Sequence, residues 1–253
     1  MAGRSKLLLL IILLIACSGL LYSKAPALRT YHDFIRQEQA NKILVSSTLS
    51  PRETSTVSMS ANSVVRIMSR GERGIASSTG TILEHEGNYY VLSVAHGILS
   101  DCENSIVWTG SMSLVPCEEM IVIDRVMDYS IMKIDNPGLS TPVKIKDVLP
   151  NPRWHRRHYS LMNRVYYTGF PNSIGPLTIT GNISGFADDG HIYISAYAWS
   201  GSSGSSVFTH DGKLIGLVTA IDIGNTPFGP QVLEDVVIMV PATKIDWTKI
   251  LGD

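Results

Sequence analysis

Cysteine is scarce in this chain. Three residues in 253 are too few for a small scaffold held together by disulfides. There is no Cys-x-x-Cys pair and no closely spaced His/Cys group, so no metal site is expected. An excess of one charge is also missing. Lys and Arg number 21 against 22 Asp and Glu, for a formal net charge of −1, which argues against a dedicated nucleic-acid binder. Neither Gly-x-x-x-x-Gly-Lys-Ser/Thr nor Gly-x-Gly-x-x-Gly occurs, so no nucleotide cofactor is implied, and none of another kind. No internal repeat of fixed period is present. Charged residues make up only 17% and hydrophobic ones 44%, which excludes a chain disordered throughout.

What is present begins at the N-terminus. Arg4 and Lys6 precede an apolar run from Leu7 to Ala16, the shape of an export signal. The run ends Leu14-Ile15-Ala16-Cys17, which resembles a bacterial lipobox and makes Cys17 a lipidation candidate. Two other readings stay open: an uncleaved anchor, since uncharged residues continue to Ser23, and ordinary cleavage. All three place the remaining chain outside the cytosol, attached to a membrane or secreted. Residues 1–23 are therefore expected as signal or anchor and 24–62 as a helix and linker, with a folded domain over 63–253. The linker assignment rests on the Ser/Thr-rich stretch 46–62, which contains Pro51 and almost no large apolar residue.

From Ser63 onward, short β-rich runs alternate with turn residues. Among them are Val64–Met68, Gly80–Leu83, Tyr89–Val94, Ser105–Trp108, Ser111–Val115, Ile121–Ile123, Ser130–Ile134, Val165–Thr168, Leu177–Ile183, Ile192–Ala198, Ser206–Thr209, Lys213–Ala220 and Val236–Met239. This spacing predicts an all-β sandwich or barrel domain. Ile245, Trp247, Ile250 and Leu251 recur at near-helical spacing after Pro241, which predicts a short C-terminal helix. The basic segment Arg153 to Arg164 suits either an anionic partner or, more simply, a solvated loop.

Three segments carry chemistry: Ser93-Val94-Ala95-His96-Gly97 ending an apolar strand, Met127-Asp128-Tyr129 opening one, and the small-residue loop Gly201-Ser202-Ser203-Gly204-Ser205. A serine hydroxyl needs an imidazole to take its proton, and the imidazole needs a carboxylate to fix its tautomer. His96, Asp128 and Ser203 supply that set. The N–H groups of Gly201 and Ser203 are suited to an oxyanion hole.

With these segments in this order, the chain resembles the trypsin-like (chymotrypsin-fold) serine peptidases, particularly the protease domain of the bacterial HtrA/Deg branch. The resemblance runs from Ser63 to Val240 and includes Gly80-Thr81-Ile82-Leu83, Tyr167-Thr168-Gly169-Phe170-Pro171 and Gly212–Ala220. It implies two six-stranded-type antiparallel β-barrels, with His96 and Asp128 from the first, Ser203 from the second, and the site between them. It also implies peptide or protein substrates and a serine endopeptidase activity. An inactive trypsin-like binding module and a viral-type processing peptidase are the alternatives. Only 13 residues follow Val240, so the PDZ domain of many relatives is not expected. Ser202 and Ser205 depart from the Asp or Asn and the Gly usual at those places.

The resemblance also implies that Tyr197, six residues before Ser203, forms the floor of the pocket for the residue preceding the cut, with Thr219 and Ile221 as walls. No acid stands there to select Lys or Arg. The alternative for Tyr197 is a ring turned into the barrel core. Cys102 and Cys117 lie symmetrically about Thr109-Gly110, and a hairpin there would pair them in a disulfide unless its register slips. The oligomeric state is not legible.

Overall fold

The computed structural model describes residues 48–252 except 73, 110–112, 149–154 and 227–228, with backbone alone at 155–156 and 220–234. The expectations for residues 1–47, including Cys17 and the start of the helix and linker segment, lie outside the described residues. Among those described, no helix is long and apolar enough to cross a membrane.

Thirteen strands are described. The first barrel uses β1 (Val64–Gly71), β2 (Gly74–His85), β3 (Asn88–Ser93), β4 (Ser105–Thr109), β5 (Leu114–Asp124) and β6 (Tyr129–Ile134). Its order is β1-β4-β5-β6-β3-β2, and β2 pairs back to β1 to close it. A two-residue strand, β7 (Val143–Lys144), adds to β2 in parallel. The second barrel uses β8 (Arg164–Gly169), β9 (Leu177–Phe186), β10 (Ile192–Ser195), β11 (Ser206–Thr209), β12 (Leu214–Thr226) and β13 (Gly229–Pro241), closed in the order β10-β13-β12-β11-β8-β9. Within each closed ring neighbouring strands are antiparallel. The fold is chymotrypsin-like.

Period-2 burial explains the arrangement. Val65, Ile67, Ile82, Val91 and Met132 fill the first barrel, and Val165, Tyr167, Ile183, Val207 and Val237 fill the second. The opposite faces are not wet. Leu83, Leu92, Tyr129 and Ile131 from the first barrel meet Phe208, Leu214, Leu217 and Val240 from the second in a third apolar cluster. Strands buried on both faces read as near-continuous apolar runs, which is why Tyr89–Val94 shows no clean alternation. Ile245, Trp247 and Ile250 complete this cluster. The C-terminal segment reaches it through a 3₁₀ turn at Ala242–Lys244 and a single helical turn, rather than through one helix from Pro241. Trp247 Nε1 donates to Ala242 O at 2.7 Å and fixes the bend.

The Ser/Thr-rich stretch expected as linker is in fact a helix, α1 (Pro51–Ser63). Ser50 and Glu53 form a capping box, with Pro51 in the first turn. The signal Ser50-Pro51-Arg52-Glu53 was present in the sequence. It was masked because the buried face is made of Thr56, Ser60 and Ser63, which carry almost no hydrophobicity. Their small side chains let the helix lie close against the second barrel, where Ser60 Oγ and Thr168 Oγ1 share a hydrogen bond of 2.8 Å. Of the described residues in the basic segment, Arg157 and Arg164 are exposed. His158 is buried, and Arg164 pairs with Glu53 at 3.4 Å.

Tyr166 Oη donates to Glu53 Oε1 at 2.6 Å, and Ser50 N–H donates to Oε2. These donors, the Tyr166 hydroxyl foremost, lower the Glu53 carboxyl from 4.5 to about 2. A depressed carboxylate contributes stability that is complete above its unfolded value and is lost as pH falls through its folded value. We therefore expect the melting temperature of the native protein to fall more steeply than that of Glu53→Gln between about pH 4.5 and 2. Parallel slopes in a pH series of thermal melts would show that Glu53 does not anchor α1.

Candidate active site

His96 lies three residues beyond the end of β3, and Asp128 immediately precedes β6. These strands are direct neighbours, with Ser93 opposite Ser130. The carboxylate of Asp128 grips His96 twice: Oδ1 accepts the His96 backbone N–H at 2.9 Å, and Oδ2 lies 2.7 Å from Nδ1. This leaves Nε2 as the ring nitrogen able to exchange a proton with a substrate or nucleophile. Both side chains reach solvent, His96 being 53% and Asp128 28% exposed. Asp128 adopts the left-handed conformation (φ 56°), which Asp tolerates better than most residues.

Ser203 lies on the tight loop before β11. The loop is built on glycines with positive φ at Gly201 (94°) and Gly204 (95°). Ser202 is buried and closes the loop from inside. Its N–H donates to Trp199 O at 2.9 Å, and its Oγ accepts the Trp199 N–H at 3.3 Å. Ser205 needs no glycine-only conformation and instead donates its hydroxyl to Ser202 O at 2.7 Å. Neither departure from the relatives' pattern distorts the loop. Among the described residues, the N–H groups of Gly201 and Ser203 and the Ser203 hydroxyl have no hydrogen-bond partner. The Ser200 carbonyl accepts the Asn172 N–H at 2.6 Å. Because a trans peptide points its C=O and N–H in opposite directions, the Gly201 N–H faces away from Asn172.

One residue that the motifs did not reveal joins the two barrels at this point. Thr79, in the middle of β2, donates its N–H to Ser203 O at 2.8 Å and its hydroxyl to Gly201 O at 2.6 Å. Its Oγ1 also accepts the Phe170 N–H at 3.0 Å, and its carbonyl accepts the Ser93 hydroxyl at 2.6 Å. Ser93 leads directly into the His96 segment. Thr79 thus ties the serine loop of one barrel to the histidine strand of the other. A threonine inside a strand carries no local mark of such a role; the only signal was its place beside Gly80.

The pocket expectation changes. The Tyr197 ring is 60% exposed and stacks on Trp199, with ring centroids 6.0 Å apart and planes 10° apart. It is neither an enclosed floor nor packed into the core. Ala196 and Ala198 occupy the inward positions of this extended segment, which sends residues 197 and 199 outward. The Tyr167 hydroxyl, its titration pushed up by burial, donates to the Tyr197 carbonyl and holds the segment in place. Thr219 is buried, and its hydroxyl is turned to Ile238 O at 3.2 Å. The side chain of Ile221 is not among those described.

The structure joins Cys102 to Cys117, with Cα atoms 5.0 Å apart, although not across the hairpin as expected. The hairpin register pairs Trp108 with Leu114 and Ile106 with Pro116, three residues off the symmetric pairing, so Cys102 lies beyond its paired part. The 3₁₀ turn Cys102–Asn104 bends the chain back and restores the contact. No group of three or more His, Cys, Asp or Glu side chains suited to a metal ion occurs among the described residues.

Residues 78–217 match the trypsin-like peptidase domain family, a stretch that takes in His96, Asp128 and Ser203. The chain belongs to the trypsin-like peptidase family. It is accordingly a serine endopeptidase, a hydrolase of peptide bonds. Among solved structures, the chain is similar to the serine endoprotease from Yersinia pestis, with a TM-score of 0.61 and 22% identity over 83% of this chain and 69% of that one. At that identity the likeness speaks for the fold. A comparison with curated proteins finds no match.

Proposed function

We propose that the chain is an exported, membrane-tethered endopeptidase that cleaves peptides through an acyl-enzyme, with Ser203 as nucleophile, His96 as general base and acid, and Asp128 as its orienting carboxylate. The carrying observation is the double grip of Asp128 on His96, with Nδ1 and Oδ2 2.7 Å apart. A carboxylate bound at Nδ1 fixes the tautomer that leaves Nε2 free to accept the Ser203 proton, and it stabilises the imidazolium that results. The same proton then passes to the leaving amine. The unpartnered N–H groups of Gly201 and Ser203 are suited to receive the negative charge that develops on the scissile carbonyl.

The exposed Tyr197–Trp199 stack offers the residue before the cut an open, uncharged, aromatic surface. A cleavage-site profile of the purified domain on a peptide mixture is expected to show uncharged residues at that position, with Lys and Arg depleted. A profile dominated by basic residues would overturn the specificity assignment. The absence of any Ser203-dependent cut would overturn the catalytic one.

Tethering through the N-terminus is part of the same proposal. It draws support from Arg4, Lys6, the apolar run to Ala16 and Cys17, and from a disulfide, which persists mainly outside the cytosol. The intact mass of membrane-extracted protein is expected to begin at Cys17 and include acyl chains. A protein recovered only from the soluble fraction, without residues 1–23, would reject the tether.

A further inference from the structure

The hydrogen bonds of Arg125 bear directly on the His96–Asp128 pair. Arg125 lies in the turn joining β5 to β6, three residues before Asp128. Its Nη1 donates to Ala95 O at 3.1 Å and its Nη2 to Ile98 O at 3.0 Å. These carbonyls bracket a single turn, closed by the Ile98 N–H on Ala95 O at 3.1 Å, and that turn contains His96 and Gly97. Among the described residues Arg125 forms no ion pair; its charge is directed at two neutral carbonyls. The turn carrying it is itself braced, because Asp124 Oδ1 accepts the N–H groups of Val126 and Met127, each at 2.9 Å.

The histidine turn and the aspartate turn are therefore joined by four hydrogen bonds. Asp128 makes two to His96, and Arg125 makes two to the carbonyls on either side of it. The first pair is open to solvent, and an exposed charged contact does little to hold a geometry by itself. Asp128 itself sits in the left-handed backbone region, sparsely populated by residues other than glycine although Asp enters it more readily than most. A planar guanidinium spanning two carbonyls supplies the missing constraint, because its donors are fixed relative to one another.

We propose that Arg125 is a positioning residue of this peptidase: by clamping the Ala95–Ile98 turn to the Asp128 turn, it sets the aim of the His96 ring. This inference rests on the triad proposed above. The guanidinium touches neither substrate nor reacting atoms. Its effect is on how often His96 stands where it can accept the Ser203 proton, and so on kcat rather than on substrate affinity.

The test compares Arg125→Ala, Arg125→Lys, His96→Ala and Ser203→Ala on one peptide substrate, with activities normalised to folded protein by circular dichroism and thermal melting. For Arg125→Ala we expect kcat to fall about 10- to 100-fold, the scale of a misplacement of about 1 Å, with KM nearly unchanged. Guanidinium ion at a non-denaturing concentration should restore part of that kcat and do nothing for His96→Ala. Arg125→Lys should be intermediate, because one ammonium cannot span both carbonyls in the same geometry. A folded Arg125→Ala with kcat within twofold of native overturns the inference, as does a loss confined to KM or a loss that guanidinium does not relieve. If Arg125→Ala does not fold, Arg125→Lys decides: native kcat in the folded Lys variant overturns the proposal, and a kcat loss at native KM upholds it. Activity surviving in His96→Ala or Ser203→Ala would instead overturn the triad, which keeps the two failures apart.

Discussion

Ser203→Ala is expected to abolish peptide hydrolysis, with kcat falling on the order of 10⁴-fold or more, while the protein melts as the native form does. The size of the effect follows from covalent catalysis. On the proposed mechanism no acyl-enzyme forms without the hydroxyl, and only substrate binding and the oxyanion donors remain to lower the barrier. The indifference of the fold follows from the structure. The Ser203 side chain is half-buried and has no hydrogen-bond partner among the described residues, so truncation leaves no buried group unsatisfied. Ser203 contributes to the barrel junction only through its backbone carbonyl, bound by Thr79 at 2.8 Å, and alanine retains that carbonyl. Purified Ser203→Ala that still hydrolyses a peptide at the native rate would remove Ser203 from the mechanism. A large drop in melting temperature would contradict its structural neutrality.

Gly204→Ala is expected to damage folding and activity together. A Cβ at this position would lie 1.8 Å from the Thr79 carbonyl oxygen and 2.6 Å from Ser93 Oγ, on a backbone with φ of 95°. The obstacle is main chain, held by the buried Ser93–Thr79 hydrogen bond, so no side chain can swing away to make room. Backbone strain and overpacking add, and the loss should be at least about 3 kcal/mol. Any protein that still folds must move the Ser203 loop away from β2, which should cost about 100-fold in kcat. Gly175→Ala is the control: its added Cβ meets nothing within 4 Å and its φ is not positive, so stability should change by less than about 0.5 kcal/mol. Urea unfolding of both variants makes the measurement. Equal, small losses would show that the contact at Gly204 is not rigid.

His96, Asp128 and Ser203 were legible as candidates because each lies at a strand end or on a glycine-rich turn, features written in consecutive residues. The β5 strand was divided into two runs, Ser111–Val115 and Ile121–Ile123, because the intervening Pro116–Met120 is partly polar. In the fold Cys117 and Glu119 pair with Ile134 and Lys133 across an irregularity in the register. The β12–β13 hairpin extends well beyond the runs Lys213–Ala220 and Val236–Met239, through a stretch where Asp222, Gly224 and Asn225 interrupt the apolar pattern. The helix α1 shows no apolar periodicity in the sequence because its buried stripe is Thr and Ser. Tyr197 was placed by its distance along the chain from Ser203, and distance along the chain does not say which way a ring turns.

By itself, the sequence determined an all-β domain, most of its strands in their order and the three candidate chemical segments, because alternation, turn residues and strand-end motifs act over a few neighbouring positions. The tertiary structure alone decided how those pieces meet. It closed two barrels and buried the outer faces of β3 and β6 against the second barrel. It also shifted the hairpin register so that Cys102 and Cys117 join through a 3₁₀ turn, and it brought Thr79 and Arg125 to the serine loop and the histidine turn. The Arg125 and Thr79 hydrogen bonds to the histidine turn and the serine loop join residues 27 to 124 positions apart. Their partners are selected by chain closure and packing, which no short window of residues encodes.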